Sequence, residues 1–279
     1  LDKEILTMEE AAELFGVSIK TFIKLLKEEK VPGRKIGREW RFSRQALINW
    51  LAVGDSQIYS ASESDTKEFF NEVAPQWEEI SRNYSDETLK TKLIELDILK
   101  KSMILVDLGA GDGFISRFTA PFVKKVIAVD ISGEMLRELR RKAKSGGLRN
   151  IETLESDGRD VPLDDSSVDM VCANMYLHHI EQPELALQEM HRIVKPGGTV
   201  FLADFYEHSD GELIRKMHDL WPGFNPDQLA ASFRKAGFQE VRYETVDQQT
   251  TGFPGENGRT PKPTPENTSS KIFFIIAQK

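Results

Sequence analysis

Cysteine is nearly absent from this chain of 279 residues: its one thiol, Cys172, excludes an internal disulfide framework and fits a reducing compartment. Long apolar runs are missing as well. No stretch approaches the roughly 18 consecutive apolar residues of a membrane span, so no membrane partner is expected. The opening LDKEILTMEE lacks the basic-then-apolar layout of a secretory signal, which makes a cytoplasmic location the expectation. Basic charge is also scarce. The formal net charge is -8, and an acidic body repels polyanions.

That scarcity is uneven. Residues 1–54 hold ten Lys and Arg against eight Asp and Glu, and within 20–44 nine basic residues face three acidic ones. The rest of the chain therefore sums to -10, so any nucleic-acid contact falls to the first segment alone. The polar, serine-rich AVGDSQIYSASESD follows it without sustained periodicity and reads as a connector. The expected organisation is a small domain over 1–54, a linker over 55–64 and a larger domain over 65–279.

In the small domain, Thr7 and Glu10 form a capping-box pattern before TMEEAAELF, which Gly16 closes. Ser18 offers a second N-cap, and Ile19, Phe22, Ile23 and Leu26 form the apolar stripe of a second helix. RKIGREWRF alternates Ile36, Trp40 and Phe42 around a glycine turn, as a two-stranded wing would. Ser43 caps a third helix with Leu47, Trp50 and Leu51 on one side. This segment resembles the winged helix-turn-helix of excisionases and the related mercury-resistance-type (MerR-like) regulators. The resemblance implies that Ser18, Lys20, Thr21 and Lys24 face double-stranded DNA. It also implies that Arg34, Lys35, Arg38 and Arg41 grip backbone phosphates from the wing. A single small module makes few phosphate contacts, so a homodimer on two half-sites is expected.

Strands and helices alternate from about residue 103, the pattern of a doubly wound α/β sheet. FQEVRYETV and KIFFIIAQK break the alternation and should pair antiparallel at one edge. The chemical centre is VDLGAGDGF, where Asp107 is followed by Gly109, Gly111 and Gly113. Glycines there permit a tight turn and close approach of a ligand to the backbone. Asp130 closes the next strand 23 positions later, where a carboxylate accepts ribose hydroxyls. The pattern points to a nucleoside cofactor. NAD remains the rival at this point, although its G-x-G-x-x-G spacing is one residue longer.

VDLGAGDG, VIAVDIS, ESDGRDVPLDDSSVDMV, NMYLHHI and ALQEMHRIVKPGGTVFLADF occur in one order. Together they resemble the class I S-adenosylmethionine-dependent methyltransferases, among them the methylases of menaquinone and ubiquinone biosynthesis. The resemblance implies a seven-stranded Rossmann-like sheet ending in an antiparallel hairpin, with S-adenosyl-L-methionine as cofactor. It implies that Gly109, Ala110 and Gly111 pass the methionine part, and that Asp107 steadies the loop and the amino group. Asp130 would then hold the ribose, Ile131 the adenine face, Asp157 and Gly158 the adenine edge, and Asn174 the methionine moiety.

All five histidines fall between residues 178 and 218. Tyr176, His178 and His179 follow a strand end, where open α/β sheets bind ligands, and are the candidates for a base or an orienter of the acceptor. Metal-ligand spacing is not indicated, so no metal is expected. His208, His218 and Trp221 lie in an insert similar to that of methyltransferases fused to arsenic-repressor-type winged helices. There the insert overhangs the acceptor pocket. Arsenite methylation is disfavoured, since soft metalloids want several thiolates. The aromatic segment TKEFFNEVAPQWEEISRNY suggests Trp77 and Tyr84 as lid residues. An apolar roof on an acidic body favours a small-molecule acceptor. NMYL also stands where nucleic-acid amino-methylating enzymes carry Asn/Asp-Pro-Pro-aromatic. The alternative from a different class is a transcriptional regulator whose methyltransferase-like domain senses cofactor or ligand without turnover.

Overall fold

The computed structural model describes residues 3–28, 31–37, 39–53, 63–81, 87–246 and 271–279. Two compact units emerge: Leu1–Ser62 with Ser209–Leu220, and Glu63–His208 with Trp221–Lys279. Most of the expected linker, 55–64, lies outside the described residues, as do Arg38, Tyr84 and the segment 248–270.

In the first unit, β1 (Ile5–Leu6) leads into α1 (Met8–Leu14) and α2 (Ile19–Glu28). β2 (Arg34–Ile36), β3 (Glu39–Ser43) and α3 (Arg44–Val53) follow. The Thr7 capping box is fully formed: its hydroxyl accepts from the Glu10 amide, and the Glu10 carboxylate accepts from the Thr7 amide. β3 lies between β1 and β2, antiparallel to both. Leu6, Ala11, Ala12, Phe22, Val31, Phe42 and Leu47 form the core.

Two apolar stripes are narrower than their spacing suggests. Phe22 is fully buried and Leu25 and Leu26 pack beside it, whereas Ile19 and Ile23 are exposed. The Phe22 ring lies between Phe15 and Phe42, at centroid distances of 5.6 and 5.2 Å, and this fixes which face of α2 turns inward. On α3, Leu47 and Trp50 pack inward while Leu51 is exposed.

The second unit is a seven-stranded sheet. Its strands are β4 (Ile104–Leu108), β5 (Lys125–Asp130), β6 (Ile151–Glu155), β7 (Val168–Asn174), β8 (Val194–Phe205), β9 (Gln239–Val246) and β10 (Ile272–Gln278). Their order is β6-β5-β4-β7-β8-β10-β9. The first five are mutually parallel, and β10 runs antiparallel to both β8 and β9. The expected antiparallel edge pair is present.

Strand periodicity sends side chains to opposite faces. Val106, Leu108, Val171 and Ala173 join a core completed by α9 (Pro183–Ile193) and α11 (Pro226–Lys235). Leu105, Met170 and Cys172 join the core on the other face, with α6 (Glu87–Glu95) and α7 (Phe114–Thr119). α8 (Gly133–Ser145) packs beside β5 and β6. The aromatic segment forms α4 (Glu63–Val73) and α5 (Trp77–Ser81), joined by a 3-10 turn at Ala74–Gln76. Pro75 in that turn has no amide hydrogen to continue a helical ladder. α10 (Gly211–Met217), in the segment grouped with the first unit, is capped by Asp210 and ends at His218 in a left-handed conformation.

Candidate functional site

β5, β4, β7 and β8 are neighbours in the sheet, and each carries a polar residue at or near its carboxyl end: Asp130, Asp107, Asn174 and Asp204. In an open α/β sheet the crevice beyond these ends receives ligands. The loop after β4 is built for close approach. Gly109, Gly111 and Gly113 all have positive φ, and Ala110 N–H donates to the Val129 carbonyl. The Gly111 amide donates to Asp130 Oδ2 at 2.8 Å, and the Ser132 amide donates to Asp130 Oδ1 at 2.8 Å. Asp130 thereby fastens the glycine loop to the start of α8, where Ser132 is the N-cap.

Asp107 is buried and accepts a hydrogen bond from Ser116 Oγ at 2.6 Å. Burial raises its pKa to about 7, and the Asp130 charge adds to the rise. Asp130 rises to about 6, again through burial, with its backbone hydrogen bonds pulling the other way. Cys172, beside Asp107 across the β4–β7 ladder, is a buried thiol pushed well above its ordinary value by desolvation.

On the far side of the crevice Asn174 Oδ1 is buried and has no hydrogen-bond partner among the described residues. The next residue, Met175, holds a positive φ of 51°. This conformation is uncommon for a non-glycine residue and marks stored strain at a strand end. Tyr176 then packs across the loops: a Cβ on Gly109 would meet its ring at 2.5 Å, and one on Gly158 would meet its hydroxyl at 2.1 Å. The Tyr176 hydroxyl donates to the Asp157 carbonyl. Burial pushes the Asp157 carboxyl up, but hydrogen bonds and charge from Arg159 outweigh it and hold the group below the usual range. Ile131 is half-buried beside Asp130.

α4 and α5 tie down over these loops. Ser132 Oγ donates to Asn71 Oδ1 at 2.8 Å, Lys67 pairs with Glu155, and Lys142 of α8 bridges Glu78 and Asp112. The Trp77 indole nitrogen lies 3.6 Å from where a Gly111 Cβ would be. From Trp77 a run of rings continues through Phe70 (5.2 Å) and His179 (5.0 Å) to His178 (4.1 Å). His178 Nδ1 lies 2.6 Å from Asp204 Oδ1. His208 stands edge-on to Phe205 at 5.6 Å, and the half-exposed Trp221 donates from its indole to the Ile180 carbonyl.

The sequence candidates Asp107, Gly109, Ala110, Gly111, Asp130, Ile131, Asp157, Gly158, Asn174, Tyr176, His178, His179 and Trp77 thus lie on the strand ends, loops and covering helix of one unit. His218 belongs to the segment grouped with the other unit. Sequence reasoning missed Asp204, Asn71 and Ser132. Asp204 had a legible signal, since TVFLADF ends its strand in an aspartate as VDL and VIAVD do.

The donor set suits S-adenosylmethionine. A buried carbonyl oxygen on Asn174 is left to accept from an ammonium group. Asp130 presents a carboxylate beside a loop without side chains, and Asp107 adds a carboxyl that a cation would ionise.

In the first unit, Ser18, Lys20, Thr21, Lys24, Arg34 and Lys35 are exposed. Ser18 Oγ accepts from the Thr21 amide and shares a hydrogen bond with the Thr21 hydroxyl, so both hydroxyls help cap α2. Arg41 is half-buried and paired with Glu39. It stands directly opposite Arg34 in the β2–β3 ladder.

Comparison with known proteins agrees with both units. Residues 106–202 match the family described as "Methyltransferase domain", and residues 5–52 match "Helix-turn-helix domain". A demethylmenaquinone methyltransferase of Clavibacter sepedonicus is 33% identical over 117 residues, 42% of this chain and 46% of the relative. An uncharacterized methyltransferase-like protein of Schizosaccharomyces pombe is 30% identical over 52% of this chain and 58% of its own length. The chain therefore spans about half the length of these curated relatives. Among solved structures, YcgJ of Bacillus subtilis aligns with a TM-score of 0.57 at 18% identity, covering 70% of this chain and 99% of that one. The N-methyltransferase NodS of Bradyrhizobium japonicum, solved with S-adenosyl-L-homocysteine, gives 0.58 at 12% identity, covering 77% and 98%. These likenesses extend to the fold. Residues 106–202 are thus similar to a methyltransferase domain, and residues 5–52 before them to a helix-turn-helix domain.

Proposed function

We propose that the chain is an S-adenosylmethionine-dependent methyltransferase for a small-molecule acceptor, with an N-terminal module that contacts double-stranded DNA. The observation that carries the first half is the Gly111 amide bonded to Asp130 Oδ2. It sets a carboxylate suited to ribose hydroxyls against a glycine loop suited to the methionine part. The bound cofactor supplies a methyl group already activated on a sulfonium.

The chain's own residues do the rest. Asp130 binds the ribose, with Ile131 against the adenine and Asp157 and Gly158 at its edge. Asn174 Oδ1 accepts from the ammonium, and Asp107 balances positive charge. Trp77 and Phe70 exclude water, which favours transfer over hydrolysis. Tyr176, His178 and His179 orient the acceptor, with His208 and Trp221 as further acceptor-side candidates.

For the module, the support is the Arg34–Arg41 cross-strand pair. Like charges opposed in a ladder are destabilising, and a phosphate between them relieves the repulsion. Homodimerisation would present two modules to two half-sites. Titration calorimetry with S-adenosylmethionine tests the cofactor site: wild type should bind, and Asp130→Ala should weaken binding at least tenfold. Binding without release of S-adenosylhomocysteine from any small acceptor would favour a ligand-sensing regulator instead.

A further inference from the structure

The loop after β4 has no side chain at Gly109, Gly111 and Gly113, so its shape depends on what its neighbours bond to. Some of its ties are backbone amides: Ala110 to the Val129 carbonyl, Gly111 to Asp130, and Gly113 to the Ala110 carbonyl. Another is ionic. Asp112 is 4% exposed, and its Oδ2 lies 2.5 Å from Lys142 Nζ on α8. A buried carboxylate is costly unless a cation meets it, and Lys142 offsets that cost between two glycines of positive φ. Leu139, on the preceding turn of α8, fills the space beside Gly113, where a Cβ would meet its Cγ at 2.7 Å. α8 thus braces the loop with both a charge and a packed side chain.

The same ammonium reaches the covering helix. Lys142 Nζ lies 2.6 Å from Glu78 Oε2 on α5. Trp77, the residue before Glu78, sets its indole nitrogen 3.6 Å from where a Gly111 Cβ would be. Consecutive residues of α5 therefore meet consecutive residues of the loop: Trp77 over Gly111, and Glu78 through Lys142 to Asp112. The two halves of the ionic link differ in exposure. The Lys142 and Asp112 side chains are 12% and 6% exposed, the Glu78 side chain 66%. Water and salt reach the Glu78 half and are largely kept from the other.

We propose that Lys142 is a positioning residue for the cofactor, an inference that rests on the methyltransferase reading. Its pairing with Asp112 holds the glycine loop in the shape that receives the methionine part. Its pairing with Glu78 fastens α5 across that loop. Opening the exposed half frees α5 and lets a ligand leave while the loop stays formed. Losing the buried half strands the Asp112 carboxylate, so that binding must restore an order the wild-type loop already holds.

Surface plasmon resonance on the immobilised full chain, with S-adenosylhomocysteine as the probe, separates the two halves. This ligand carries no net charge, so added salt acts on the protein's own ion pairs. Wild-type dissociation should quicken about 2- to 5-fold between about 50 and 500 mM KCl, as the exposed pair is screened. Glu78→Gln leaves the buried pair intact. It should release ligand at that faster rate already at low salt, with a smaller salt response and a nearly unchanged association rate. Lys142→Met should weaken affinity about tenfold or more, chiefly through slower association. Lys142→Arg, whose guanidinium can also span two carboxylates, should recover most of the loss.

Wild-type release indifferent to salt would overturn the proposal, as would Glu78→Gln releasing ligand no faster than wild type. Full affinity in Lys142→Met would overturn it too. Lys142→Arg as weak as Lys142→Met would do the same, since Lys142 would then act by shape rather than charge. Should Lys142→Met not fold, the Glu78→Gln rates decide alone. Each of these results leaves the methyltransferase reading standing, whereas wild type that binds no S-adenosylhomocysteine ends that reading and this proposal together.

Discussion

Gly109 carries two constraints at once. Its φ of 68° lies in the left-handed region, and a Cβ there would come within 2.5 Å of the Tyr176 ring. The backbone conformation alone costs a non-glycine residue roughly 1–2 kcal/mol, and the ring is held by its hydroxyl bond to the Asp157 carbonyl. Gly109→Ala should therefore abolish cofactor binding by calorimetry while the far-UV circular dichroism of the chain persists. Unchanged affinity would mean that Tyr176 yields and the loop is less constrained than its geometry. Asp107 and Asp130 make a second prediction at this scale. Their folded-state pKa values, about 7 and about 6, are raised above an ordinary 3.8. The folded cofactor-free unit thus holds protons that the unfolded chain has released. That contribution to stability is fully present below about pH 4 and is lost as pH rises through 6 to 7. A cationic ligand favours the ionised carboxylates, so binding at pH 6.5 should release protons. Calorimetry in two buffers of different ionisation enthalpy measures this, and identical heats would count against it.

Among the elements, α1 has the most complete local signal. The Thr7 hydroxyl and Glu10 carboxylate satisfy each other's amides, and Lys3 adds a 2.7 Å contact to Glu10. Thr7→Ala should cost the first unit about 1 kcal/mol, read as a lowered denaturant midpoint for that unit's transition. This element was legible because its caps are sequence-local. So were the ends of β4, β5 and β7, each marked by a polar residue after an apolar run. The inward face of α2 was less legible: Ile19 and Ile23 fit the helical period yet face outward, because Phe15 and Phe42, far apart in sequence, decide where Phe22 sits. Asp204 was legible as a strand-end aspartate, but its contact with His178 was not. Its partner His178 lies 26 residues away, and only the β7–β8 pairing brings the two together.

At the level of the molecule, charge separates the two activities proposed. With basic excess confined to 20–44 and -10 over the larger part, DNA affinity should come from a few phosphate contacts and fall steeply with salt. Electrophoretic mobility shift between 50 and 200 mM salt checks this, with Arg34→Ala reducing the slope by about one contact. A flat salt response would remove DNA from the account.

The sheet order has a further consequence. β10, residues 272–278, is inserted between β8 and β9 and supplies the ladder partner on that side of β8. A ribosome that has made every residue of the cofactor crevice has still not made the strand that completes its sheet. Until residue 278 clears the exit tunnel, β8 offers an open edge carrying the buried Phe201 and Phe205, and open edges of this kind recruit chaperones or pair with one another. The helix-turn-helix module, whose contacts span few residues, can be finished long before. Each nascent chain would thus present a folded helix-turn-helix module while its larger unit is still incomplete.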